Sequence, residues 1–394
     1  MVDGVCRLRK RGFKHGLLIA FLLALFPAGG CRESAWPLWE SYRANFIDAE
    51  GRVIDHSSGD RTTSEGQAYA IFFALAADDR PTFDQLLNWT QTHMAAGSLN
   101  ARLPGWLWGR AANGEWKQLD TNSAADADVW MAYALLEAGR LWKAPAYSAL
   151  GHALMAEIAT TEVATLPGFG SMLLPGPAGF QHGQVTTLNP SYLPVFVFER
   201  FAAEDPHGPW RSIAQGIPGL LEQSARHGYA MDWIDYIPGD GFSPATPVTT
   251  GNPGSDTPGG SYDAIRVYLW AGMMDSGGRL RSQVLSAVPV MSVYLATHDA
   301  PPEKVSDQGI PLAQDGPVGF SAAVLTYLRA FPRAAPAADR QMVRLMKARD
   351  AATGLYGKDS RYYDQNLALF ATGFIDGRFR FDAGGELNVE WKRR

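Results

Sequence analysis

Three carboxylates in this 394-residue chain stand where acid/base chemistry could be done. Glu65 lies in Thr62-Thr63-Ser64-Glu65-Gly66-Gln67, Asp126 in Ser123-Ala124-Ala125-Asp126-Ala127-Asp128, and Asp263 in Gly260-Ser261-Tyr262-Asp263. Each opens a stretch that is apolar nearly throughout: residues 68–77, 129–136 and 264–270. A helix apolar on all sides is buried. Complementing the helix dipole accounts for an acid in any one first turn. It accounts less well for three acids on buried helices, where an anion needs a partner or keeps its proton. A structural ion-pair network is the competing explanation. Asp128 points about 200° around the helix from Asp126, which suits bracing rather than reaction. Arg266, one turn after Asp263, is a partner that would fix a carboxylate.

Clustered acids in an aromatic cleft suit glycosidic bond hydrolysis, in which one carboxylic acid protonates the leaving oxygen and another carboxylate activates water or attacks carbon. Rings for sugar faces stand close by in sequence: Trp106 and Trp108 before the fourth helix, Tyr192 after Asn189-Pro190-Ser191, and Tyr262 beside Asp263. Core packing is the rival role for each ring. A helix start favours the Glu65 anion, whereas a general acid must arrive protonated. Burial against the aromatic rim and the neighbouring Asp126 are the groups that could oppose the dipole. There is no C-x-x-C, H-E-x-x-H, G-x-x-x-x-G-K or G-x-S-x-G, and the eight His are scattered, so neither a metal nor another cofactor is expected.

The elements that must position these residues read from periodicity, capping and Pro/Gly punctuation as twelve helices, near 37–47, 65–77, 81–96, 124–142, 145–160, 191–203, 208–226, 262–275, 279–297, 319–330, 336–349 and 361–375. Ser64 and Gln67 fit a capping box opening the second. Even-numbered helices are apolar all round, whereas the third and eleventh carry an apolar stripe with a polar back. Six hairpins alternating outer and inner members describe an all-α, (α/α)6 barrel, with a small β-hairpin at residues 379–389. Parallel inner helices would bring Glu65, Asp126 and Asp263 to one rim. Pro194, Pro218 and Pro289 weaken three of the boundaries. Long Gly/Pro-rich connections at 168–190 and 238–260 lead into inner helices and are of a length that is usually functional or disordered.

Apolar residues make up 46% and charged residues 19%, enough for a large core. Residues 1–30 read as a signal peptide, basic and then apolar and then small, ahead of a single domain over 31–394. This places the protein in the periplasm or outside the cell. Ala28-Gly29-Gly30-Cys31 also resembles a lipobox without its usual Leu, the lesser alternative being lipidation at Cys31. The first thirty residues hold five Lys/Arg and one Asp, so without them 30 basic and 39 acidic residues leave a net −9. That argues against nucleic acid and anionic membrane as partners, both of which need basic patches. A neutral ligand is the better fit, and a monomer is expected.

The run from Ala124 to Trp142 resembles the signature of glycoside hydrolase family 8, in which Ala, Ser or Thr, Asp, Ala or Gly, and Asp precede a fixed apolar spacing to Phe or Trp. Ala125 departs from it by lacking a hydroxyl. The likeness extends from residue 36 to the terminal hairpin, including 62–67, 103–109, 189–194, 261–268 and 316–323, and is strongest to the branch that accompanies bacterial cellulose synthases. The 238–260 connection is longer than usual there. This resemblance implies an inverting endo-β-1,4-glucanase acting on a β-1,4-glucan chain, trimming nascent cellulose beside the cellulose synthase and export complex. It makes Glu65 the general acid, Asp263 the base and Asp126 the carboxylate that holds and distorts the sugar. Inversion would separate the Glu65 and Asp263 carboxyls by about 6.5–9.5 Å. A xylanase or chitosanase of the same family, or a non-catalytic glucan-binding component of the export machinery, is the alternative.

Overall fold

Six helices without a polar face must find cover on every side, and they do so by standing around one axis with a second ring outside them. The computed structural model describes residues 36–245, 258–313 and 315–393. The expected signal peptide at 1–30, Cys31 and the middle of the 238–260 connection therefore lie outside the described residues. The inner ring consists of α2 (Ser64–Ala76), α4 (Ala125–Leu141), α6 (Val195–Glu204), α8 (Ala264–Met273), α11 (Val318–Leu328) and α13 (Tyr362–Ile375). Outside it stand α1 (Pro37–Phe46), α3 (Arg80–Met94), α5 (Pro145–Thr161), α7 (Trp210–Ser224), the pair α9 (Arg281–Ala287) and α10 (Val290–Thr297), and α12 (Ala335–Lys347). The order is that of an (α/α)6 barrel. A short α14 (Glu390–Arg393) ends the described chain.

The barrel is a packed core rather than a pore. Trp130 of α4 and Phe370 of α13 meet with ring centroids 5.0 Å apart, and both also contact Tyr69, Phe72 and Trp270. Edge-to-face pairs of this kind contribute beyond the area they bury. One end is plugged by the C-terminal hairpin of β12 (Phe379–Phe381) and β13 (Leu387–Val389). Phe381 stacks on Phe196 at 4.0 Å. At the hairpin turn Gly385 has φ +78° and a Cβ there would sit 1.8 Å from the Phe196 carbonyl oxygen. Fully buried Glu137 ties the plug down, accepting from Arg200 Nε (2.6 Å), Arg140 Nε (3.0 Å) and the Leu387 N–H (3.0 Å). With that end closed, the opposite mouth, where the inner helices begin, is left for a site.

Several expectations shift. The outer helix expected over 279–297 is two helices, broken at Val288-Pro289, where proline cannot donate to the preceding turn. Helix α6 starts at Val195 after Pro194 rather than at 191, residues 190–192 forming a 3-10 turn. Pro218 is accommodated inside α7. The mouth also carries strands that the helical reading omits. β1 (Thr62–Thr63), β2 (Gly105–Arg110) and β3 (Trp116–Ser123) form one antiparallel sheet. β4 (Val163–Leu166) pairs with β5 (Gly170–Leu173). The connection at 168–190 continues into β6 (Gln181–His182) and β7 (Val185–Leu188), which join β8 (Ile234–Ile237) and β9 (Gly241–Pro244) in a four-stranded sheet. β10 (Gly259–Gly260) pairs with β11 (Val305–Ser306).

Candidate active site

The first turn of α2 is built by Thr63, not Ser64. Thr63 is extended because it pairs with Leu107 of β2, so its Oγ1 can cap the helix by accepting from the Gly66 N–H at 3.1 Å. Gln67 does not cap. Its amide spans the Val53 N–H and the Gly51 carbonyl (2.6 and 3.1 Å), welding α2 to the preceding loop. Gly66 leaves room for Tyr362, whose hydroxyl would lie 2.0 Å from a Cβ at that position. Glu65 is thereby held at the mouth with its side chain 20% exposed. Asp126, in the first turn of α4, is only 2% exposed, and Asp263, at the start of α8, is 28% exposed.

All three carboxylates converge on Arg266. One terminal nitrogen, Nη1, donates to Glu65 Oε2 and to the Tyr363 hydroxyl, both at 3.2 Å. The other, Nη2, donates to Asp263 Oδ1 (3.0 Å) and Ser191 Oγ (2.9 Å) and stands 3.6 Å from Asp126 Oδ2. A planar fork of fixed donors suits this role better than a lysine would. The buried Asp126 carboxyl is pushed well above the usual carboxylate range by desolvation first and the Glu65 charge second, with the Arg266 guanidinium opposing both. Asp128 has no part in this group. It lies buried beside Glu162, whose Oε1 accepts from Ser123 Oγ at 2.5 Å. Desolvation raises both carboxyls, Glu162 to about 7 and Asp128 well above its ordinary value. They brace the root of α4, as its angular position on the helix suggested.

The mouth encloses a cavity of about 610 Å³ whose walls include Glu65, Asp126, Asp263, Arg266, Trp106, Tyr192 and Tyr262. Tyr262 turns a 39% exposed ring toward solvent, edge-on to Phe320 at 5.1 Å, with its hydroxyl on Glu303 (2.6 Å). Trp108 is not brought to this wall. It shares a sheet face with its register partners Thr62 and Gln118, and that face turns toward α3. There Trp108 meets Trp89 at 5.4 Å and stacks on Trp116 at 5.1 Å, with the Arg52 guanidinium 4.4 Å from its ring. Irregular register between Gly105 and Trp108 separates Trp106 from it.

Sequence reasoning missed Tyr362, Tyr363 and Arg361 in the cavity wall. All three lie where the sixth inner helix begins, so the rule that exposed Glu65 would have found them. Also missed were Ser57, Ser58, Asp55 and Arg61, which sit in a polar turn with no apolar pattern, and Trp233, which packs on Tyr192 and lies parallel to Phe180. Among the described residues, no group of three or more His, Cys, Asp or Glu is arranged to hold a metal ion.

Comparison with known proteins gives the family. The family model for Glycosyl hydrolases family 8 matches residues 15–376. The chain is 43% identical over 382 residues to an endoglucanase of Escherichia coli O157:H7, covering 96% of this chain and 97% of the relative. It is 42% identical over 392 residues to an endoglucanase of Xanthomonas axonopodis pv. citri (strain 306), covering 97% of each. The crystal structure of an endo-1,4-D-glucanase from Vibrio fischeri ES114 superposes with a TM-score of 0.81 at 36% identity, over 91% of this chain and 99% of that one. A carboxylate cluster at the mouth of an (α/α)6 barrel, in a chain matched to this family along almost its full length, identifies the protein as a glycoside hydrolase belonging to glycosyl hydrolases family 8.

Proposed function

We propose that the protein is an endo-acting β-1,4-glucanase that cleaves with inversion at the anomeric carbon. Glu65 gives its proton to the glycosidic oxygen as the C–O bond breaks. Asp263 takes a proton from the water that attacks the anomeric carbon from the other face. Inversion needs no covalent nucleophile, so Asp126, in the cavity wall, supports the sugar at the cleavage point. The observation carrying this reading is that Glu65 and Asp263 bind different terminal nitrogens of Arg266. The guanidinium fork fixes the two carboxylates on separate nitrogens, and inversion needs an acid and a base so fixed, with a water between them. Trp106, Tyr192 and Tyr262 supply ring faces for the glucan chain, while Trp108 anchors the β2–β3 hairpin to α3.

The glucan preference is supported by the endoglucanases to which the chain is similar. We place the activity in the periplasm or outside the cell, on the basic-then-apolar composition of residues 1–30, where it would trim cellulose as the chain is made and exported. The test is release of reducing ends from carboxymethylcellulose by the wild type and Glu65→Gln. Loss of the general acid should slow turnover by about 10²–10⁴-fold, and equal rates would sink the assignment.

A further inference from the structure

Asp263 occupies the N-cap position of α8, yet its side chain caps nothing. An aspartate there ordinarily folds back to accept the N–H of the second or third helical residue. Here every donor of the first turn is satisfied without it. Asp232, from the segment before β8, presents a single oxygen, Oδ1, to three backbone N–H groups: Ser261 at 2.8 Å, Asp263 at 3.1 Å and Ala264 at 2.7 Å. The Ile265 N–H reaches the Ser261 carbonyl at 3.1 Å, and the Arg266 N–H reaches the Asp263 carbonyl at 3.0 Å. Asp232 is itself fixed by its own N–H, which donates to the Gly259 carbonyl at 2.8 Å. Among the described residues, the Asp263 carboxylate is left with one side-chain partner, Arg266 Nη2.

We propose that Asp232 is a positioning residue for the hydrolytic water. By capping α8 from outside, it keeps the Asp263 carboxylate out of the cap and aimed into the cavity. This rests on the reading of Asp263 as the base. Without Asp232, the Ser261, Asp263 and Ala264 N–H groups would lose their acceptor, and the positive end of the helix would draw the Asp263 carboxylate back onto the freed Ala264 N–H, as Asp126 takes the Ala127 N–H at 2.8 Å. The base would then turn from the water to its own backbone. Burial, then the charge of Asp263, raises the Asp232 carboxyl to about 7 in spite of its three donors, which marks how closely the two acids sit.

The test uses the full enzyme and a cello-oligosaccharide with a 2,4-dinitrophenyl leaving group, with and without sodium azide. Azide attacks carbon with no proton to lose, so it replaces water only where the base is missing, and dinitrophenolate departs without needing an acid. Asp232→Ala is expected to lower kcat by about 10²-fold, the cost of a misplaced reacting group, with KM within about twofold and turnover restored by azide. Asp232→Asn keeps the Oδ1 acceptor and should stay within about threefold of wild type. A mere loop brace would lose folded enzyme, and azide would not bring it back. Should the alanine variant not fold, Asp232→Ser, whose shorter side chain reaches fewer of the three N–H groups, is held to the same criteria. Asp263→Ala separates the two ideas. If Asp263→Ala is fully active, the base reading fails and takes this proposal with it. If Asp263→Ala is inactive and rescued by azide while Asp232→Ala turns over like wild type, or is slow and unmoved by azide, the proposal alone is overturned.

Discussion

Replacing Arg266 with methionine would keep most of the buried volume and remove the cation that gathers the site. Glu65, Asp263 and Ser191 would each lose a hydrogen bond, and Asp126 its nearest counter-charge. Deleting one partner of a buried ion pair typically costs about 3–5 kcal/mol. For the 359-residue unit from Trp36 to Arg394, an unfolding entropy of about 2.1 cal/mol/K per residue turns that into a fall of roughly 4–7 °C in melting temperature. The effect on rate should be larger. Two hydrogen bonds from a charged donor, at about 1.5–3 kcal/mol each, orient the acid and the base. At about 1.4 kcal/mol per tenfold, kcat should drop by about 10²–10⁴. Arg266→Lys should fall between, because one ammonium cannot span both carboxylates. The assay is initial reducing-end release from carboxymethylcellulose well below the melting point, beside calorimetry of each variant. A methionine variant with kcat within about threefold of wild type and an unchanged melting temperature would refute the claim that Arg266 organises the carboxylates.

Two further outcomes follow from groups outside the cavity. Glu162 holds its proton to about 7 in the folded protein against an ordinary 4.5. Between those values the folded state binds a proton that the unfolded chain has released, so stability falls as pH rises, by about 1.4 kcal/mol per pH unit for one full proton. Melting at pH 5 and pH 7.5 should show the wild type more stable in acid, and Glu162→Gln should flatten the slope; parallel slopes would contradict the raised proton affinity that burial gives Glu162. Phe381→Ala removes a buried ring from the plug and should destabilise by about 3–5 kcal/mol in denaturant titrations, leaving kcat of the folded enzyme unchanged because the cavity lies at the other end of the barrel.

Much of the site was legible because the barrel repeats one rule. Inner helices have no polar face, so their N-termini declare a common mouth, and there Glu65, Asp126 and Asp263 meet on Arg266. Glu65, Asp126, Asp263 and the Arg266 that joins them follow from that alone. The rule stops where contacts come from far along the chain. Asp232 caps a helix that begins about thirty residues later, and nothing local in Met231-Asp232-Trp233 marks it. Strand β3, in Trp116-Lys117-Gln118-Leu119-Asp120-Thr121-Asn122-Ser123, has no apolar alternation because most of it faces solvent, so the sheet beside Glu65 left no pattern to read. Without that sheet, two features could not be placed: the cap on Thr63, which depends on pairing with Leu107, and the turn of Trp108 toward α3. Tyr363 is different in kind. It lies in the first turn of an inner helix and was open to the same reasoning as Glu65.

The stereochemistry of the first product tests the mechanism most directly. If Glu65 and Asp263 act on opposite faces of the sugar with water between, hydrolysis of a β-1,4-cello-oligosaccharide followed by proton NMR should show the α-anomer of the new reducing end first, with the β-anomer growing in only as the sugar mutarotates. Initial appearance of the β-anomer would mean a covalent intermediate and retention, and would contradict the roles of Glu65 as acid and Asp263 as base.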